Sequence, residues 1–207
     1  MKNINFGYDM KRTNKPMKRL SLYLFLILFT LQTPSQADDI SDFEIEGMSI
    51  GDSLLDFMSK SYIDGDTIFL YKNKKYATIF SNRKKEIYDD VQISFLANDS
   101  KYLISDMEGK LYFPNDIKGC LNKKKTIVKE ISDFLGDEVK KGKKNKNHRA
   151  DKTGKSKVFI NSFWFEDGST LQVYCTDWSE KMGHKDELKV VVATKEVLDW
   201  VIYEAYK

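Results

Sequence analysis

Two runs of alternating apolar and polar residues, Val158 to Glu166 and Ser169 to Thr176, flank the dipeptide Asp167-Gly168. No other feature constrains the chain as tightly. Period-two alternation makes a strand with one buried face, and Asp-Gly between two such runs signals a tight hairpin turn. A two-residue type I′ turn there places Trp164 opposite Leu171, Ser162 opposite Val173 and Ile160 opposite Cys175. Phe159, Phe163, Phe165 and Tyr174 then fall on the other face, where they either pack beneath a further layer or line a groove.

The same periodicity recurs at Lys75 to Asn82, Ile87 to Leu96 and Tyr102 to Phe113, an antiparallel meander, and a further strand is expected at Leu188 to Ala193. Three helices complete the pattern. Ser53, with Asp56 three residues on, makes a capping box for a short N-terminal helix. After Pro114, Asn115 or Asp116 caps a long helix whose apolar stripe is Ile117, Leu121, Val128, Ile131 and Leu135, closed by Gly136. Thr194 and Glu196 open a C-terminal helix that ends near Tyr206. The expected fold is α+β: an antiparallel sheet of about five to seven strands, one long helix packed on a face, and short N-terminal and C-terminal helices.

The start of the chain is an address. Lys18 and Arg19 precede an apolar run from Leu20 to Leu31, and Ser35 and Ala37 supply the small residues that a signal peptidase reads. Twelve residues at about 1.5 Å each span roughly 18 Å, well short of the roughly 30 Å of a bilayer core. Residues 1–37 are therefore expected to be an N-terminal extension and Sec signal peptide, cleaved after Ala37, with Met17 the expected initiator and no transmembrane anchor left in the mature chain. Removing them takes six of the 34 cations and one of the 31 anions, leaving 28 and 30, a net of −2. The basic balance belongs to the leader. Residues 38–207 suit a single domain in the periplasm or outside the cell.

Export gives the two cysteines, Cys120 and Cys175, a shared meaning. Both fall on inward-facing positions, and outside the cytoplasm such a pair is expected to form a disulfide.

Between the long helix and the hairpin, residues 140–157 hold nine Lys or Arg and one Asp, with no apolar periodicity. They are expected to form a mobile basic loop. Lys140, Lys141, Lys143, Lys144, Lys146 and Arg149 are its candidate contacts for an envelope polyanion; another envelope protein is the alternative partner. No aromatic residue lies between Lys140 and Lys157 to stack a base, which argues against specific nucleic-acid binding.

Gly51-Asp52-Ser53-Leu54 spells the nucleophile motif of the GDSL hydrolases, which makes a secreted serine esterase using Ser53 the alternative function. That family also needs a Gly-x-Asn-Asp element and a C-terminal Asp-x-x-His; Asn145 and Lys181 stand where the required Asp would precede His148 and His184. The chain is therefore read as non-enzymatic, with no catalytic residues. Two His and two Cys without paired spacing call for no metal, and no cofactor motif is present.

The segment from Phe43 to Phe57, the run Lys152-Thr153-Gly154-Lys155-Ser156-Lys157 and the ending Glu204-Ala205-Tyr206-Lys207 resemble a family of small, secreted, uncharacterised bacterial proteins. The resemblance implies export and a single domain, and it assigns no activity.

Overall fold

The computed structural model describes residues 39–136 and 139–206. The signal-peptide reading of residues 1–37, and the cleavage point before Asp38, lie outside the described residues. The architecture is α+β. Seven strands, β1 (Tyr76–Phe80), β2 (Asp90–Leu96), β3 (Ile104–Tyr112), β4 (Lys140–Asn147), β5 (Lys157–Trp164), β6 (Thr170–Asp177) and β7 (Glu187–Ala193), form one sheet in the order β1-β2-β3-β7-β6-β5-β4. Every pairing is antiparallel. The strands make two meanders, β1 to β3 and β4 to β7, with β7 as the seam between them. Among the described residues, three α-helices accompany the sheet: α1 (Lys60–Asp66), α2 (Ile117–Leu135) and α3 (Lys195–Tyr203). Among the described residues, no helix is long and apolar enough to cross a membrane.

Local chemistry accounts for the helix starts. Asp116 caps α2 by accepting from the Gly119 N–H at 2.9 Å, and Gly136 ends it at φ +65°. Thr194 caps α3. Ser53 behaves differently from the expected helix cap. It caps only a single 3-10 turn, Leu54–Asp56, and the nearby helix starts later, at Lys60 behind Ser59. Gly51 and Asp52 explain this: their main chain pairs with Ile104, so the segment is held extended along β3.

The main core lies on one face of the sheet, where Ile79, Ile93, Met107, Leu188, Leu171, Val173 and Phe163 are buried together with Ile45, Met48 and Leu54 of the N-terminal segment. The disulfide expected between Cys120 and Cys175 is present, with a Cα–Cα separation of 6.1 Å, and it ties α2 to β6.

The hairpin register differs from expectation by one residue. Phe165 and Ser169 pair across a three-residue loop, Glu166-Asp167-Gly168, with the Phe165 N–H donating to Ser169 O at 3.1 Å and the Gly168 N–H to Phe165 O at 3.0 Å. Gly168 lies at φ +86°, and the Asp167 carboxylate accepts from both the Ser169 N–H and its hydroxyl. A turn closed by a left-handed glycine absorbs one more residue than a type I′ turn. Phe159 therefore faces Cys175 and Phe163 faces Leu171. Phe159, Phe163 and Phe165 belong to the disulfide face, and only Tyr174 of the expected aromatic face remains opposite them.

The expected mobile loop is also corrected. Lys140–Asn147 is the edge strand β4, paired residue for residue with β5. Its Gly142 lies under the Trp164 ring, where an added Cβ would come within 2.6 Å of ring carbons. A strand with only one neighbour does not need two apolar faces, and lysines along a free edge oppose pairing with another chain. The turn that follows is held by Asp151, whose carboxylate accepts from the N–H and hydroxyl groups of Thr153 and Ser156 and from the Ser179 hydroxyl.

The cysteines are 55 residues apart, so opening the bridge frees a loop whose closure disfavours the unfolded chain by about 4 kcal/mol. Reduction, or Cys120→Ser with Cys175→Ser, is expected to lower the urea unfolding free energy by about that amount. An unchanged unfolding midpoint would show that the bridge is not a stabilising staple.

Candidate functional site

Lys124 follows Cys120 by four residues and so shares its face of α2. Because the disulfide holds that face against the sheet, the lysine is directed inward at a position where an amphipathic helix ordinarily carries an apolar residue. Its Nζ donates to the Phe159 carbonyl at 3.0 Å and to Asn161 Oδ1 at 2.9 Å, and the residue is 5% exposed. Burial, reinforced by the like charge of Lys143, pulls its pKa down to about 8.

Across from it, the β4–β5 register sets Lys143 opposite Asn161 and Asn145 opposite Phe159, so all four residues share the face of the sheet turned toward α2. Between helix and strands runs a groove of about 480 Å³. Leu121, Asn122, Lys124, Lys125 and Val128 of α2 line one side; Lys143 and Asn145 of β4 and Phe159 and Asn161 of β5 line the other. Among the described residues no ion pair joins Lys124, Lys125 or Lys143 to a carboxylate. Buried charges are ordinarily paired, because desolvation without a counter-charge is costly. Three ammonium groups, three carboxamides and an aromatic side chain around one groove make an arrangement suited to receiving an anion.

The six basic residues singled out from sequence separate. Lys141 and Lys143 lie on the α2 side of β4, whereas Lys140, Lys144 and Lys146 lie on the opposite side, facing Trp164, Ile160 and Val158 in register. The ammonium of Lys140 sits over the Trp164 ring, and the Arg149 guanidinium lies 4.3 Å from the Tyr206 ring centroid. Only Lys143 of the six lines the groove. Lys124 and Lys125 were not singled out, although Lys124 was detectable as a cation interrupting the apolar stripe four residues after a cysteine.

A second polar cluster occupies the other face of the sheet. Glu108 lies 3.2 Å from Lys189 and 3.9 Å from Lys110; Lys189 also pairs with Glu187, and Lys110 donates to Gln92. Asp106, directly across from Ser94, is buried beside this network. Here each cation has a carboxylate partner, so the network is internally compensated, unlike the groove. Period-two alternation is compatible with these residues sharing one side of β3 and β7, but alternation alone does not tell whether that side meets water.

The GDSL serine makes two hydrogen bonds, both to main chain: its Oγ donates to Lys101 O at 2.7 Å and accepts from the Leu55 N–H at 3.2 Å. His148 and His184 both lie against Trp178, with ring centroids 4.1 and 4.7 Å from it. Among the described residues no group of three or more His, Cys, Asp or Glu side chains is arranged to hold a metal ion. No family model, no curated protein and no solved structure matches the chain.

Burial, followed by the charge of Glu108, pushes Asp106 up to about 8, from an ordinary 3.8. A raised carboxylate stabilises the fold below its unfolded pKa, and that contribution is lost as pH climbs to the folded value. The unfolding free energy of the wild type relative to Asp106→Asn is therefore expected to decline between about pH 4 and about pH 8. A difference that stays constant or grows across this window would contradict the assignment.

Proposed function

We propose that the chain is a non-catalytic binding module of the extracytoplasmic space, which captures an anionic envelope ligand in the groove between α2 and the β4–β5 edge. The observation that carries this reading is Lys124, a residue that is 5% exposed, whose ammonium is hydrogen-bonded to neutral oxygens alone and flanked by two further lysines without carboxylate partners among the described residues. An anion in the groove would supply the counter-charge that such a site lacks. Two features support the compartment: the Cys120–Cys175 disulfide, which persists in oxidising surroundings, and the leader-like pattern of residues 18–37. The reading gives Ser53 no chemical role, in keeping with its engagement by main-chain groups.

Retention on immobilised lipopolysaccharide tests the proposal. The protein is expected to be held at low ionic strength and released by salt, as for screened charge contacts. Lys125→Gln with Lys143→Gln should abolish retention, whereas Lys140→Gln, Lys144→Gln and Lys146→Gln on the opposite side of β4 should leave most of it. Equal losses for the two sets would mean general surface charge and no groove.

A further inference from the structure

We infer that the groove takes an acidic sugar, a pyranose bearing a carboxylate that seats on Lys124 Nζ while its ring lies against Phe159. This names the ligand class of the anion site proposed above and rests on that proposal. The geometry selects against a bare oxyanion. Phosphate and sulfate chiefly accept hydrogen bonds, so Lys124, Lys125 and Lys143 alone would satisfy them. The groove also presents Asn122, Asn145 and Asn161, and each carboxamide both donates and accepts. Asn161 already spends its oxygen on Lys124, which leaves its NH₂ to donate; Asn122 and Asn145 offer both functions. Hydroxyl groups, which donate and accept in turn, match that lining. Phe159 on the strand side and Leu121 and Val128 on the helix side add apolar contact among the amides, which suits the C–H face of a pyranose. The volume of about 480 Å³ is that of a small-molecule site. The ammonium of Lys124 uses two of its three hydrogens on Phe159 and Asn161, and the third remains for the carboxylate.

Binding of this kind is linked to protons. The charged groups lining the groove with Lys124 are Lys125 on α2 and Lys143 on β4, all cationic, so the Lys124 proton is held by two neutral acceptors and by no anionic side chain of the groove as pH rises. With its pKa near 8 in the free protein, affinity for an anionic sugar is expected to fall roughly 30-fold between about pH 7 and about pH 9.5.

Calorimetric titration of the oxidised protein with digalacturonate, a neutral disaccharide and inorganic phosphate tests the assignment. Digalacturonate should bind roughly tenfold or more tightly than either comparator. Lys124→Met should weaken it by roughly tenfold or more and flatten the pH profile. Lys143→Gln and Phe159→Leu should each weaken it several-fold; Lys143, on the exposed edge strand, keeps the test valid if Lys124→Met does not fold. Phosphate binding as tight as digalacturonate would overturn the sugar assignment and leave the anion site standing. Digalacturonate binding that survives both Lys143→Gln and Phe159→Leu would place it outside the groove and overturn the sugar assignment there. Absence of any anion binding would overturn both proposals.

Discussion

The Cys120–Cys175 bridge is the constraint on which the rest of the arrangement depends. It fixes one turn of α2 to the middle of the second meander, and both cysteines are fully buried. Side chains three and four residues apart share a helix face, so pinning Cys120 determines where Lys124 and Ile127 point. Ile127 gains by this, being buried in the core. Lys124 is held in a buried position beside the groove, where it makes two hydrogen bonds to β5. A free helix could roll to release the ammonium into water, as long lysine stems ordinarily allow; a helix bonded to its sheet one turn away is far less able to. The covalent staple thus sets the electrostatics of the groove as well as the stability of the fold.

The two polar clusters differ in how their charge is paired. On one face of the sheet, Lys110 and Lys189 share Glu108, and Lys189 also meets Glu187. Those attractions offset desolvation internally, and the network has little need of an external partner. On the other face, Lys124 is buried near Lys143 with only neutral acceptors. The first arrangement bridges β3 and β7 through Glu108 and Lys189. The second leaves a positive potential in a groove whose lining includes one aromatic and two aliphatic side chains. The edge strand β4 serves both the fold and the groove, since its lysines guard the sheet edge and one of them completes the groove.

Much of this was legible in the residues. The alternation of the first meander and of the β5–β6 hairpin, a cap for α2 at Asn115 or Asp116, the Thr194 cap of α3 and the disulfide pairing all follow from local chemistry and redox context. The hairpin register was not, because Asp167-Gly168 suits either a two-residue turn or a three-residue loop, and the choice depends on the Asp167 carboxylate folding back on Ser169. Strand β4 was hidden by its composition: lysines at an edge read as solvated loop until β5 is known to need a neighbour. The position of β7 between β3 and β6 is a long-range pairing that no local signal encodes. For the groove, sequence pointed to the basic run around Lys143 but not to Lys124. A helical lysine reads as solvent-facing, and only its four-residue spacing from a bridged cysteine reveals otherwise.

The measurement that bears most directly on this account is the titration of the Lys124 side-chain amine, followed by NMR of the oxidised protein with Lys124→Met as the assignment control. A buried, uncompensated ammonium held in place by the disulfide titrates near 8. A midpoint at the ordinary lysine value of 10.5 would mean that the side chain is solvated or paired with an anionic group, and the groove would lose its central feature.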